Sequence, residues 1–535
     1  MDKQNSKINK EKHITSDKHN RQNTANHKDM ENTAGKQNRT KTTDSHFSGD
    51  TPEITDCLIA VIGAGPAGMM AALAAQEQFE NELCDKKDDN RIDYCKKFDN
   101  SNRIVIFEAN SEAGKKLTVT GNGKCNFTNL NQSIEYYNSD NTSMVEDTLK
   151  RFNEKDCIAF FEKLGIPHTE RNGYCYPYSE QAKSVRDFFC RELCRKNIPV
   201  IYDTRIKHIR QNADCDGFIL VTASKKEIRA RKVIVCCGGI SYQMYGSNGD
   251  AFYMAGELGI GVEKPLQALC ALKTDFKYIS ELDGVRAHAS IFLHVDEDDE
   301  YTETGEIIFS GNGVSGIPVM NVSRHAVKAL ETDLSRQAVS AFGKDVNRDT
   351  VRTLETDVIR DKVRTFEADV NRKPVNAESI TLFIDFADRI EFEKLEQFIY
   401  TRLREDDRPE SLNGLINDKL SRVVYKIIND TQISEVISPC SEASYRIKSN
   451  AIALLLKSFR LNITGAAGFD KAQVTQGGIM LQELNEKLEV NKYPGLYFAG
   501  ENVNVDAICG GYNLQWAFSS GNVAGKNSAM EVINN

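Results

Sequence analysis

Apolar and polar residues alternate in blocks along this chain, and the clearest block covers residues 58–75 (LIAVIGAGPAGMMAALAA). An apolar run of β-forming residues, Leu58 to Ile62, leads into a glycine-rich turn and then an alanine-rich run typical of a helix. This order of strand, glycine turn and helix is what a dinucleotide-binding βαβ unit requires. There Gly63 permits the tight turn, Gly65 lets the backbone approach a pyrophosphate, and Gly68 lets the helix pack closely on the strand. The free N–H groups at the helix start would receive the phosphates.

Two other interpretations of this block stay open when it is considered alone. Its eighteen residues carry no charge, and a membrane-spanning helix needs about 20 apolar residues. Three glycines and a proline in its first half, and the lack of a second such run, argue against a membrane span. The block could also be an ordinary buried strand, turn and helix that binds nothing.

The next apolar run favours the nucleotide interpretation. A polar stretch from Asn81 to Asn102 precedes a second predicted strand, Ile104 to Phe107, which ends in Glu108. In a dinucleotide fold, an acidic residue at this place accepts hydrogen bonds from a ribose hydroxyl, about 20 residues after the last glycine. Here the gap is roughly twice that, which we interpret as a loop insertion. A plain surface glutamate is the alternative.

Further along, the pattern predicts a helix from Lys183 to Lys196, followed by β-rich structure up to Cys236. Short alternating strands are predicted from about 260 to 330, and a further strand near 380–386. A helical part follows at about 391–458, in which apolar residues at helical spacing are expected to be core. They are Leu395, Phe398, Ile399 and Leu403.

Two segments have unusual composition. Residues 1–52 contain almost no large apolar side chains, so we predict a disordered polar tail. Its four histidines are irregularly spaced and lack cysteine partners, so no metal site is predicted. Residues 330–377 hold four gap-free repeats of twelve residues, the third being LETDVIRDKVRT. We interpret them as a tandem expansion in a surface loop, with a partner-binding arm as the less favoured alternative.

The overall composition limits the function classes. A net charge of −9 and a pI near 5.7 over 535 residues argue against a dedicated nucleic-acid binder. The 14 cysteines include no C-x-x-C pair and suggest no disulfide framework. No secretory signal is recognised. We therefore expect a soluble cytoplasmic protein that acts on a small molecule without nucleic acid or membrane. Its oligomeric state is not indicated.

Five segments in order along the chain resemble one family, the bacterial HI0933-like (YhiN- or BaiN-type) NAD(P)/FAD-dependent oxidoreductases. They are GKKLTVTGNGKCNFTN at 114–129, NGYCYPYSEQAKSV at 172–185, VIVCCGGISYQMYGSNGDAFYMAGELG at 233–259, GEIIFSGNGVSGIPVMNVSR at 305–324, and a closing block that contains AQVTQGGI and GLYFAGENVNVDAICGGYNLQWAFSSGNVAG. The resemblance spans about 53–533.

The resemblance implies an α/β fold. A Rossmann-like FAD-binding domain, with a mixed, largely parallel sheet and helices on both faces, is expected at 53–255 and 465–535. A β-barrel-like and then helical substrate domain is expected at 256–329 and 378–464. The resemblance and the glycine pattern together predict a set of FAD contacts. They are Gly63, Ala64, Gly65, Pro66, Ala67, Gly68, Glu108, Ala109, Lys116, Gly121, Gly123, Cys125, Asn126, Ile206, Gly238, Gly500, Glu501, Gly511, Tyr512 and Asn513.

The expected chemistry is hydride transfer between a small organic substrate and flavin N5. No second glycine fingerprint is present, so NAD(P)H is expected only as a transient co-substrate at the flavin face. Three hypotheses stay open: an NAD(P)H-linked reductase, an oxidase of a small amine, and a non-catalytic flavin-binding protein. No catalytic acid or base can be named. The tyrosines in the matched segments are candidates, namely Tyr174, Tyr176, Tyr242, Tyr245 and Tyr512, and packing is their alternative role.

Overall fold

The computed structural model describes residues 54–85, 103–212, 217–295, 300–341, 380–430 and 441–534. The described strands are β1 Asp56–Ile62, β2 Ile104–Phe107, β3 Thr128–Asn129, β4 Tyr137–Ser139, β5 His168–Arg171, β6 Tyr174–Pro177, β7 Val200–Ile201, β8 Ile206–Gln211, β9 Phe218–Thr222, β10 Glu227–Val235, β11 Val262–Ala268, β12 Leu272–Thr274, β13 Arg286–His294, β14 Glu300–Ser310, β15 Gly313–Gly316, β16 Thr381–Asp385, β17 Phe459–Ala466, β18 Val474–Ile479, β19 Leu496–Phe498 and β20 Val505–Ala507. The described helices are α1 Pro66–Asp85, α2 Thr142–Arg151, α3 Glu154–Lys163, α4 Ala182–Arg195, α5 Asp250–Glu257, α6 Ile317–Ala341, α7 Phe392–Glu405, α8 Asp418–Asp430, α9 Glu442–Lys457 and α10 Tyr512–Asn534.

A mixed seven-stranded sheet forms the first layer of the fold, in the order β7-β2-β1-β10-β9-β8, with β19 beside β10. Strands β7, β2, β1, β10 and β19 are parallel, whereas β9 and β8 are antiparallel to their neighbours. Along one edge of β10, the first half pairs with β9 and the second half with β19. The predicted Rossmann-like sheet is therefore confirmed.

Both faces of this sheet are buried, which explains why β1 reads as a continuous apolar run. Ile59 and Val61 face a core formed with α1, α4 and α10, while Ala60 and Ile62 face a core that includes residues of α2 and α5. Gly525 of α10 lets this helix approach α1 closely, since a Cβ on Gly525 would lie 2.2 Å from the Ala71 carbonyl oxygen. Helix α10 therefore packs directly against the helix that follows the glycine turn.

The inserted segment closes a six-stranded barrel in the order β12-β15-β14-β13-β16-β17. Alternate residues of β13, namely Ala289, Ile291 and Leu293, are fully buried in its core. Helices α7, α8 and α9 add their apolar faces to the same core. The predicted barrel-like and helical insertion is confirmed. The chain enters and leaves the barrel through the antiparallel pair β11 and β18, while the domain boundaries at 256 and 464 stay predictions.

Two predicted elements are wrong in extent. The polar stretch after the first helix does not begin as a loop at Asn81, because α1 runs to Asp85. Side-chain hydrogen bonds one turn apart support the extension, from Gln76 to Glu80 and from Gln78 to Glu82. The predicted run of strands up to 330 is also wrong after 316, where α6 begins. Pro318 suits the first turn of a helix.

The exposure of Phe398 shows that a third prediction, that this residue is core, is wrong. Leu395, Ile399 and Leu403 follow one another every four residues and are buried, as predicted. Phe398 lies at the edge of that stripe and is 42% exposed, so it is not core. The Arg402 guanidinium lies 4.9 Å from the centre of its ring and covers part of it.

The first twelve-residue repeat, 330–341, forms the last part of α6. The other three repeats at 342–377, the tail at 1–52 and residues 86–102 of the predicted loop insertion lie outside the described residues.

Candidate active site

A cavity of about 1010 Å³ opens where the parallel strands end. Its lining includes the loops that follow β1, β2, β10 and β19, which is the edge where open α/β sheets bind their ligands. From there the cavity continues to residues of β13 and β14 on the barrel. Small-molecule sites usually measure about 300–1,000 Å³, so this one has room for a large ligand.

The glycine turn after β1 shows why each glycine is needed. Gly63 has a φ of +102°, and a Cβ there would lie 2.6 Å from the Cys236 carbonyl oxygen. A Cβ on Gly68 would lie 1.9 Å from the Gly63 carbonyl oxygen. At Gly65 a Cβ would meet no atom within 4 Å, and this residue lines the cavity. Gly63 and Gly68 are therefore required by packing, whereas Gly65 keeps space free beside the helix start.

Glu108 holds the glycine turn against the end of β2. Its carboxylate accepts a hydrogen bond from the Ala64 backbone N–H at 2.7 Å. It also accepts two from Asn110, at 2.9 Å from the backbone N–H and 2.7 Å from the side-chain amide. An ionised carboxylate has about four acceptor positions, so one remains for a ligand hydroxyl. The ribose contact predicted for Glu108 stays a prediction.

Glu501 is the centre of a second hydrogen-bonded group on the cavity wall. It accepts from the Lys116 ammonium at 2.6 Å, from the Ser241 hydroxyl at 2.6 Å and from the Thr475 backbone N–H at 3.0 Å. Lys116 also donates to the Ser241 hydroxyl at 2.9 Å. Four separate segments of the chain are joined at this point, so the Lys116 ammonium is held with a defined direction.

A third part of the wall joins the 121–126 loop to the start of α10. Gly511 has a φ of +96°, and a Cβ there would lie 2.9 Å from the Asn126 amide oxygen. That oxygen is buried and has no hydrogen-bond partner among the described residues. Asn513 accepts from the Ala507 backbone N–H at 3.0 Å and donates to the Ala507 carbonyl oxygen at 2.8 Å. These bonds fix the helix start against β20.

The cavity brings together most of the residues predicted from the sequence. Four are not on its surface: Gly68, Gly123, Cys125 and Tyr512. Cys125 is fully buried, and burial raises the pKa of its thiol to about 12. Tyr512 is 5% exposed and donates to the Asn131 carbonyl oxygen at 3.1 Å. The other sixteen predicted contacts line the cavity.

Sequence reasoning missed several polar residues of the site. Ser241, Thr475 and Asn110 complete the two carboxylate groups described above, and Arg205 pairs with Asp250 at 2.5 Å beside the predicted adenine contact Ile206. Ser241 and Asp250 lie within the matched segment 233–259, and Thr475 lies in the matched run AQVTQGGI, two residues before Gly477. Their place in those segments is a signal, but nothing in the sequence indicates their partners.

The residues present fit a flavin adenine dinucleotide. The space beside Gly65 suits a pyrophosphate at the start of α1, and Asn126 offers an unpaired acceptor near the start of α10. The cavity is also long enough to run from the adenine side to the barrel. When bound, FAD would supply two-electron hydride chemistry, while the protein orients it and tunes its charge.

The comparison with protein families decides the identity of this fold. The model of the HI0933-like protein Rossmann domain matches residues 94–527. The chain belongs to the HI0933-like family. It is an FAD-dependent oxidoreductase, and its cavity is the candidate active site.

Curated relatives match most of this chain. The 3-dehydro-bile acid Δ(4,6)-reductase of Clostridium scindens is 29% identical over 88% of this chain and 98% of its own length. The ribosomal RNA dihydrouridine synthase of Escherichia coli is 24% identical over 86% of this chain and 95% of its own. Among solved structures, the 3-ketosteroid-Δ4-(5α)-dehydrogenase of Rhodococcus jostii RHA1 is 13% identical over 90% of this chain and 98% of its own. Its TM-score of 0.38 is too low for any conclusion.

Two further findings concern other function classes. None of the described helices is long and apolar enough to cross a membrane. Within the described ranges, no group of three or more histidine, cysteine or carboxylate side chains is arranged to hold a metal ion.

Proposed function

We propose that this chain is an NAD(P)H-linked reductase that saturates a conjugated carbon–carbon double bond in a small, largely apolar substrate. One observation carries the proposal. The cavity runs without interruption from the glycine turn of the FAD site to the barrel face. A substrate resting against the barrel would therefore lie over the part of FAD that exchanges hydride.

The barrel side of the cavity supports a substrate with flat apolar surfaces. Its apolar lining comprises Leu269, Ile308, Ile317, Pro318, Met320 and Val474, and the tyrosines at 174, 176, 242 and 245 add aromatic surface. Such walls with a few polar groups are typical of small-molecule sites. Arg286 lies at the same face, where a ligand carbonyl or carboxylate could meet a cation.

The names of the two curated relatives support the reaction type. One names the reduction of ring double bonds in a 3-keto bile acid, and the other names the formation of dihydrouridine, in which the uracil double bond is saturated. Both are reductions of a double bond conjugated to a carbonyl. Between these substrates, the net charge of −9 favours the small molecule, because binding of RNA phosphates depends on clustered cations.

The proposed electron donor is NADH or NADPH. The described fold has one glycine-rich nucleotide turn, so a nicotinamide would bind transiently at the same cavity and leave before the substrate enters. A cytoplasmic location fits this donor, and the ten cysteines whose side chains are described are free thiols.

The test is a pair of anaerobic titrations of the purified holoprotein. We expect NADH or NADPH to bleach the flavin absorbance, and 4-androstene-3,17-dione or 2-cyclohexen-1-one to restore it. Benzylamine and a uridine-containing RNA oligonucleotide serve as parallel probes. Bleaching by benzylamine but by neither nicotinamide would replace the reductase with the amine oxidase hypothesis. Reoxidation by the RNA alone would move the substrate class to nucleic acid.

A further inference from the structure

The proposed reduction needs a proton as well as a hydride, so the cavity should hold a group that donates one. The hydride adds with its electron pair to the carbon distal to the carbonyl. The electron pair of the double bond moves to the proximal carbon, which then takes a proton. The group that gives this proton must be protonated at neutral pH and able to regain a proton from water.

The carboxylates on the cavity wall are already committed to other partners. Glu108 and Glu501 each accept three hydrogen bonds, as described above. The remaining three pair with cations: Glu112 with Arg186, Asp250 with Arg205 and Lys207, and Glu306 with Arg286. Donors of the protein itself therefore already occupy oxygens of all five carboxylates.

The neutral donors on the wall include the thiols of Cys236, Cys237 and Cys509, whose pKa is raised by burial. They also include four tyrosines: Tyr174, Tyr176, Tyr242 and Tyr245. Their backbone conformations separate them. Tyr242 has a φ of +55° and a ψ of +52°, whereas the other three are absent from the positive-φ residues of the described chain. A bulky side chain in this left-handed region is a genuine outlier. Such a conformation persists only where the surroundings impose it.

The surroundings of Tyr242 do impose it. Its backbone N–H donates to the Phe469 carbonyl oxygen at 2.8 Å, and its own carbonyl oxygen accepts from the Tyr245 N–H at 2.8 Å. The two preceding N–H groups, of Ile240 and Ser241, both donate to the Thr475 hydroxyl, at 2.9 and 3.1 Å. Hydrogen bonds on both sides of Tyr242 along the backbone thus hold it in the left-handed conformation.

The same hydrogen bonds also fix the position of Tyr242 in the fold. Its neighbour Ser241 donates to Glu501, the carboxylate predicted to anchor the flavin, at 2.6 Å. Phe469 belongs to the segment that links the last barrel strand, β17, to β18. Tyr242 therefore occupies the junction between the flavin anchor and the root of the barrel, where the proposed substrate would lie.

The Tyr242 side chain has a protonated hydroxyl group that is available to a ligand. Its ring packs edge-on against the Tyr245 ring with 5.8 Å between centres. No hydrogen bond joins its hydroxyl to another residue in the described part of the chain, so the O–H is free to point at a ligand. Partial burial, with a smaller effect of Tyr245, raises the pKa of this phenol, which keeps it protonated.

We propose that Tyr242 is the catalytic proton donor of the reduction. Its O–H bond breaks as the new C–H bond forms on the carbon next to the carbonyl, and the resulting phenolate is reprotonated by water. The hydride, which carries both electrons of the reduction, would come from the reduced flavin. This inference rests on the proposed function, because it requires an alkene substrate.

The test compares Tyr242→Phe with two other variants of the holoprotein. Tyr245→Phe removes the hydroxyl from the same aromatic pair, and Tyr253→Phe removes one from α5, where the side chain is 57% exposed and outside the cavity lining. Each protein is reduced with dithionite, which bypasses the nicotinamide. Reoxidation by 4-androstene-3,17-dione and 2-cyclohexen-1-one is then followed by stopped flow between pH 6 and pH 11.

We expect Tyr242→Phe to slow reoxidation about 100-fold or more, the range that general acid catalysis usually supplies. Its FAD content, enone affinity and rate of reduction by NAD(P)H should be retained. The wild-type rate should fall at high pH as the phenol ionises, and this fall should be missing from the variant. Tyr245→Phe should keep the high-pH fall, and Tyr253→Phe should match the wild type.

Other outcomes would overturn the assignment in distinguishable ways. If enones reoxidise the wild type and Tyr242→Phe equally fast, Tyr242 has only a packing role and the proposed function stands. If the high-pH fall disappears in Tyr245→Phe instead, the donor is Tyr245. If neither enone reoxidises the wild type, the proposed function and the role of Tyr242 both fall.

Discussion

At the scale of single residues, the site depends on groups whose surroundings leave them one role. Gly63 and Gly68 have no room for a side chain, Gly65 has room that a ligand needs, and Glu108 holds the turn with three hydrogen bonds. The same residue type, glycine, therefore has two different functions within six positions. Only one of them concerns the cofactor.

Gly65 gives the sharpest test of the FAD site. We expect Gly65→Val to fold but to be isolated without FAD, because the new side chain enters the space beside the first helix turn, where no protein atom lies within 4 Å. The measurement is the flavin absorbance per protein after gel filtration. Gly256→Val is the matched control, since Gly256 also has open space around it but lies on the exposed side of α5. Normal flavin content in Gly65→Val would contradict the placement of the pyrophosphate.

His325 should make stability depend on pH. It stacks on Tyr301 with 3.5 Å between ring centres, and burial, with the nearby charges of Arg324 and Lys328, lowers its pKa to about 4. Between that value and the ordinary 6.5, the unfolded chain binds the proton and the folded chain does not. Stability is therefore complete above about pH 6.5 and is lost as the pH falls toward 4.

The expected loss is about 1–2 kcal/mol, allowing for the partial exposure of the ring. It would be measured as the fall in unfolding free energy from urea titrations at pH 7.5 and pH 4.5. In His325→Gln this part of the fall should be absent. His288→Gln, at an exposed histidine of the barrel, is the control and should keep it. An unchanged pH dependence in His325→Gln would show that other groups cause it.

At the scale of elements, one buried ion pair ties the helix on the barrel to the nucleotide side. Arg324 on α6 donates to both carboxylate oxygens of Asp506 on β20, at 3.0 and 3.2 Å, and Asp506 is 2% exposed. Asn138 on β4 donates to the same carboxylate at 3.4 Å. The position of α6 over the cavity thus depends in part on this ion pair with the nucleotide side.

Removing one charge of this ion pair should strongly destabilise the fold. We expect Asp506→Asn to lower the unfolding free energy by about 3–5 kcal/mol, because Arg324 would be left without its counter-charge in a largely buried place. Urea unfolding measures the change. The control Asp418→Asn breaks an exposed pair with Arg422 on α8 and should change stability by less than about 1 kcal/mol. Equal effects of the two substitutions would show that the Arg324 contact is not a buried one in solution.

At the scale of the whole molecule, the cavity gathers segments that are distant in the chain. Gly63, Lys116, Gly238, Gln473 and Glu501 belong to five different connections, and the barrel adds a wall from β13 and β14. A ligand that touches all of them should therefore stabilise the entire fold.

FAD should accordingly raise the melting temperature of the apoprotein. At a free concentration 100-fold above its dissociation constant, a ligand that binds only the folded state stabilises by about 2.7 kcal/mol. Thermal unfolding of the apoprotein with increasing FAD measures the effect. Gly65→Val should show no shift in the same series. A melting temperature that does not respond to FAD would contradict the convergence of these segments on one flavin.

Local patterns determined the parts of this protein that depend on neighbours in sequence. The apolar run of β1 and the glycines after it can be read directly, because a buried parallel strand and a tight turn each restrict residue type position by position. The barrel was expected from the family resemblance as well as from alternation. Phe398 was misjudged, because helical spacing identifies a stripe but not which residue at its edge is covered.

Only the tertiary structure decided how the site is assembled. It pairs Glu501 with Lys116 and Ser241, places Asp506 against Arg324, buries Cys125 away from the cavity and forces Tyr242 into a left-handed conformation. Each of these outcomes depends on contacts between residues far apart in the chain, and such contacts leave no periodic signal. A sequence records which side chains are available, whereas the packing of the sheet against the barrel determines which of them meet.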